Sequence, residues 1–104
     1  FPKPEHESIR QVFKQKWADN DRKTYKRTGR GLIGWSVLDQ MESITCPTLV
    51  VAGRRDFFPL DFKQAYAKRI PRARLEIIED SGHVTPIDQP DRFNALLLEF
   101  LGQA

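Results

Sequence analysis

PTLVVAGRRDFFP, residues 47–59, is where the chain changes texture, and its reading decides the rest. Thr48 to Gly53 form a short continuous apolar run, rich in β-branched side chains, introduced by a proline and closed by a glycine. That pattern predicts a strand covered on both faces, as in a parallel sheet. Downstream, Phe62, Ala65, Tyr66 and Ile70 recur at i, i+3, i+4 and i+8, and Pro71 ends the helix they define. RLEIIE, residues 74–79, reads as a second strand. The closing stretch, 88–102, reads as a helix with Pro90 in its first turn, Phe93, Leu96, Leu97, Phe100 and Leu101 on one face, and Gly102 at its stop. Strand, helix, strand, helix in that order predicts an α/β layout with the strands paired in parallel through a crossover. A wholly apolar strand needs neighbours for its hydrogen bonds and cover for both faces, so this layout is incomplete on its own and more sheet is expected from elsewhere.

Upstream of residue 44 the pattern is helical. Ile9, Val12, Phe13 and Trp17 make one stripe of an amphipathic helix over 5–17, entered through Pro4. WADNDRKTYKRTGRG, 17–31, holds a turn and a short second helix that frays near 28–31. Leu32, Ile33, Trp35, Leu38 and Met41 form a less regular apolar set, read as a short helix ending near Met41. The expected division is therefore a helical segment, 1–42, followed by an α/β part, 43–104.

Bulk properties narrow the function classes. The 104 residues suffice for one small domain. No apolar run approaches the roughly 18 to 20 residues of a membrane-spanning helix, and FPKPEHES is no signal peptide. The first residue is Phe, so the chain is expected to begin mid-protein. The single cysteine, Cys46, has no internal disulfide partner and no metal-ligand spacing with His6 or His83; it is expected as a small buried residue, and its lone presence points to a reducing, cytoplasmic setting. Residues 1–30 carry nine Lys/Arg against four Asp/Glu, whereas 31–104 carry eight against ten. The basic third mixes in acids and has no nucleic-acid motif, so it reads as a solvated face with neither nucleic acid nor membrane as partner. A basic interaction segment over 14–30 is the alternative, and it would show as salt-dependent binding.

In parallel α/β sheets, function gathers just past the C-terminal strand ends. Both such loops here carry chemistry: GRRDFFPL brings Asp56 three residues after Gly53, and EDSGHVTP brings His83 just after the second strand. Adjacent parallel strands would deliver the two side chains to one sheet edge. The imidazole can take a proton from a nucleophile and return it to a leaving group, provided a carboxylate fixes its tautomer and stabilises the imidazolium. Taken singly, each residue has a plainer reading, His83 as a satisfied loop polar group and Asp56 as an Asx-turn.

The paired motifs resemble the C-terminal end of the α/β-hydrolase fold family, over residues 38–101. Gly53 and Asp56 match the G-x-x-D of the G-x-x-D-x-x-x-P context of that family's triad acid, with Pro59 one position earlier than that pattern has it, and Gly82 and His83 match the G-H context of its triad histidine before the final helix. The resemblance implies Asp56 and His83 as catalytic residues, residues 1–42 as the end of a cap, no cofactor, and a small-molecule ester, lactone or related acyl substrate. It also implies a nucleophile and oxyanion hole in an N-terminal part of the core that would be this chain's partner. No complete G-x-S-x-G elbow is present: GWSVL, 34–38, has Leu in place of the second glycine, so Ser36 is a poor nucleophile. Cys46 precedes the strand whose far end carries Asp56, some 15 to 20 Å from the site at about 3.3 Å per residue. Ser81 is too near His83 along the backbone. Trp35, Phe57 and Phe58 are candidate substrate-binding residues, equally explained as core or surface aromatics. Two alternatives stay open: an Asp-nucleophile member acting on haloalkanes or epoxides, and a non-catalytic binding member. The open edge of the first strand also allows self-association.

Overall fold

In a computed structural model of the chain, residues 3–103 are described. The chain divides into two compact units, Phe1–Ser36 and Val37–Ala104.

The first unit is helical. A 3-10 turn, Pro4–His6, leads into α1, Glu7–Ala18. Pro4 suits that start because its fixed φ and missing N–H cost nothing in a first turn. On α1, Phe13 and Trp17 stack edge to face at 6.3 Å, and Glu7 accepts from Arg10 and Gln11 one turn on. The second helix, α2, Arg22–Gly31, is capped by Asp21, whose carboxylate accepts from Thr24 N–H at 2.8 Å. It stays helical through Gly31, past the point where fraying is expected. Neither helix buries a residue fully.

The short helix expected up to Met41 does not form. Gly34 takes φ +77°, outside the helical region and open chiefly to glycine, and only a 3-10 turn, Met41–Ser43, follows. Leu32, Ile33 and Trp35 are exposed, so no buried face holds that stretch helical.

The second unit has the expected alternation: β1 Thr48–Gly53, α3 Leu60–Ala67, β2 Ala73–Ile78, then the short α4 Thr85–Asp88 and α5 Pro90–Gly102. The strands pair in parallel, in register from Thr48 opposite Ala73 to Gly53 opposite Ile78. Among the described residues they make a two-stranded sheet. Its small core is Ala52, Ala67, Ile70, Ile78 and Leu96, with α3 and α5 packed on the strands. Fully burying an Ile or Leu side chain contributes about 1.5–3 kcal/mol, so Ile70, Ile78 and Leu96 dominate this core.

Burial departs from the apolar pattern in four places. Thr48 to Val51 are only half-buried, because two strands give β1 neither two neighbours nor two covered faces. Cys46 is exposed rather than buried, lying before that open start. On α3 the buried positions are Lys63 and Ala67, while Phe62 is 65% exposed. On α5, Leu96 is buried and Phe93 and Phe100 are half-buried, whereas Leu97 and Leu101 face outward. The periodicity locates both helices, but what covers each face depends on the neighbouring elements.

Candidate active site

The strand exits are laced together by backbone hydrogen bonds. Arg54 N–H donates to Ile78 O at 2.9 Å, continuing the ladder, and Arg55 N–H donates to Ser81 O at 2.8 Å. This requires the loop after β2 to cross close over the end of β1, and glycine at 53 permits it. A Cβ on Gly53 would run into the Gly82 carbonyl and stand 2.6 Å from the Ser81 carbonyl oxygen. Ser81 is buried and serves through its backbone. Asp88, at the end of α4, accepts from Gly82 N–H at 2.7 Å, and Gln89 donates to Asp80 O at 2.9 Å. The residue preceding His83 is thus held from both sides.

This lacing brings Asp56 and His83 together. His83 Nδ1 lies 3.1 Å from Asp56 Oδ1 and 3.2 Å from Oδ2. An ionised carboxylate can only accept, so the shared proton sits on Nδ1 and Nε2 is left as the ring's proton acceptor. The Asp56 side chain is 5% exposed and that of His83 50%, a sequestered acid behind an accessible imidazole. Phe58 N–H donates to Asp56 Oδ1 at 3.0 Å, so the Asx-turn expected as the plainer reading coexists with the imidazole contact. Burial pushes the Asp56 carboxyl up, but hydrogen bonds from Lys63, Phe58 N–H and His83 outweigh it and bring the carboxyl down to about 2.

Two residues of this arrangement went unforeseen. Lys63 is paired with Asp56 through Nζ and Oδ2; a lysine on a helix ordinarily signals a solvated face. Asp88 looked like part of a helix entry, and only the cramped Gly82 carried a hint of what it supports.

The aromatic expectations divide. Phe57 and Phe58 flank the imidazole, with ring centroids 4.4 and 5.7 Å from that of His83, and both are exposed. Trp35 belongs to the other unit and is exposed. Cys46 Sγ lies beside Thr48 Oγ1 before β1, and the buried Ser81 hydroxyl donates to Gly82 O at 3.4 Å. Among the described residues no group of three His, Cys, Asp or Glu side chains could hold a metal ion, and no helix is long and apolar enough to cross a membrane.

A parallel strand pair thus delivers a buried acid and an open histidine to one sheet edge. The chain belongs to the alpha/beta hydrolase family, which matches residues 1–96. It is 38% identical over 71 residues to a 2-hydroxy-6-oxononadienedioate/2-hydroxy-6-oxononatrienedioate hydrolase of Comamonas testosteroni, covering 67% of this chain and 25% of that protein. It is 33% identical over 69 residues to a proline iminopeptidase of Saccharolobus solfataricus, covering 66% of this chain and 22% of that protein. A solved thermophilic esterase from Thermogutta terrifontis superposes with a TM-score of 0.61 at 34% identity, over 64% of this chain and 25% of its own. The chain thus spans about a quarter of the length of these relatives.

Proposed function

We propose that residues 1–104 are the C-terminal part of a hydrolase of small ester, lactone or related acyl substrates, with Asp56 and His83 as the acid and base of a catalytic triad. The nucleophile and the oxyanion hole belong to an N-terminal part of the core outside these residues. The observation that carries this reading is the 3.1 Å contact between His83 Nδ1 and a buried Asp56 at the shared exit of two parallel strands. With Nδ1 tied to the carboxylate, Nε2 takes the nucleophile's proton during attack and returns it to the leaving group, while Asp56 stabilises the imidazolium formed between the two transfers. The exposed rings of Phe57 and Phe58 beside His83 favour an apolar group next to the scissile bond. The matched esterase supports ester substrates, since it shares this part of the fold at 34% identity.

The test is hydrolysis of p-nitrophenyl acetate, p-nitrophenyl butyrate and a δ-lactone by the full-length protein that carries these residues. His83→Ala is expected to lower kcat/KM by at least about 10³-fold with the protein still folded. Undiminished turnover in that variant would refute the assignment. Phe57→Ala is expected to raise KM for the butyrate ester several-fold and to leave the acetate ester nearly unaffected. Equal changes for the two esters would remove Phe57 from the substrate wall.

A further inference from the structure

Asp56 has a second charged partner that an acid–base pair does not require. Lys63 lies in the first turn of α3, seven residues after Asp56, and its ammonium is paired with Asp56 Oδ2. The two side chains are 11% and 5% exposed, so this is a buried ion pair. Lysine is almost never buried unless paired, and desolvating an ammonium costs several kcal/mol before any contact is made. The same Nζ reaches Phe58 O at 3.4 Å, which ties the ammonium to the turn that also presents Phe58 N–H to Asp56 Oδ1. The carboxylate is therefore held at both oxygens from its own side of the site, by the backbone at Oδ1 and by Lys63 at Oδ2, with His83 facing both. The other titratable groups nearby are otherwise engaged or neutral. Tyr66 on α3 is pushed up by burial and by the Asp56 charge, Asp88 accepts from Gly82 N–H, and Arg55 is paired with Asp80.

We propose that Lys63 is a positioning residue for the hydrolytic reaction, clamping Asp56 Oδ2 so that the carboxylate cannot turn away from His83 Nδ1. This rests on the triad reading above. It adds that the acid is oriented by a cation on the following helix, and that part of its charge is taken up before it meets the imidazole. Without Lys63, Oδ2 would keep only the imidazole as a strong donor, and the carboxylate would be free to rotate about the Phe58 hydrogen bond. Burial would then be opposed only by Phe58 N–H and His83.

Two readouts separate this proposal from the triad reading. In the full-length protein labelled with ¹³C at aspartate, the Asp56 carboxyl is followed by NMR against pH. It is expected to titrate at about 2 in the parent and clearly higher in Lys63→Met, with Lys63→Arg returning it most of the way. This readout needs no turnover, so it decides the clamp even if no hydrolysis is found. In the full-length protein, Lys63→Met is expected to lower kcat about tenfold with KM unchanged, and Lys63→Arg to recover most of the loss. A folded Lys63→Met with unmoved Asp56 titration, or with parental kcat, overturns the proposal. Should Lys63→Met fail to fold, the ammonium protons of the parent chain decide: slow Lys63 Nζ exchange that becomes fast in Asp56→Asn supports the clamp, and fast exchange in the parent overturns it.

Discussion

Asp56 carries most of the physics at the scale of single residues. Its carboxyl is held at about 2 in the fold against 3.8 ordinarily, so the folded state binds that proton more weakly than the unfolded chain does. A depressed carboxyl contributes stability that is complete above the unfolded value and is lost as pH falls through the folded one. For this well-buried side chain the contribution is about 2 kcal/mol at neutral pH. Chemical denaturation should therefore show stability falling between about pH 4 and pH 2, with a shallower fall in Asp56→Asn; the same slope in both would mean that the ion pair and hydrogen bonds contribute nothing. In the full-length protein Asp56→Asn is expected to reduce kcat by up to about 10⁴-fold, because an amide can present a donor where Nδ1–H requires an acceptor. Asp56 and His83 were legible in the sequence because each follows a recognisable strand by a few residues and the two glycine contexts reinforce each other. Lys63 and Asp88 were not: a lysine on a helix and an aspartate before a proline-started helix have solvated readings, and only the fold turns them inward.

At the scale of elements, the site depends on how closely the exits of β1 and β2 approach. The Gly53 backbone lies under the Ser81 and Gly82 carbonyls, with no room for a methyl group. Gly53→Ala must push the β2 loop away, and overpacking against backbone typically costs about 1–3 kcal/mol. The expected result is a loss of that size by urea denaturation, accompanied by weakening of the His83–Asp56 hydrogen bond; a stable variant with that bond intact would show that the approach is not needed. The strands were readable from their continuous apolar runs, and their parallel pairing from the helix between them. The faces of α3 and α5 were read less well, since periodicity marks an apolar stripe without saying which part of it finds a neighbour. Residues 32–41 show the complementary failure, where scattered apolar residues suggest a helix but a left-handed Gly34 and the absence of a covered face prevent one.

For the whole molecule, the relevant fact is proportion: a two-stranded sheet with half-buried strands, in a chain about a quarter as long as its relatives. On the proposed function, residues 1–104 alone have no turnover on the ester panel; esterase activity that survives in this chain would place a nucleophile within it. The incomplete sheet also leaves strand edges unpaired, and we expect the isolated chain to self-associate at high concentration. Light scattering coupled to size exclusion checks this, and a compact monomer throughout would count against it. The fold class could be anticipated because alternation and strand composition are local signals; the extent of the core could not, because the cover of β1 is set by contacts distant in sequence. The most direct test of the central claim is the tautomer of His83, read by long-range ¹H–¹⁵N correlation in the histidine-labelled chain near neutral pH, with His6 as the internal comparison. A proton on Nδ1, lost to exchange or moved to Nε2 in Asp56→Ala, is the expected result. A His83 ring protonated on Nε2 in the parent chain would contradict the pairing and, with it, the hydrolytic mechanism.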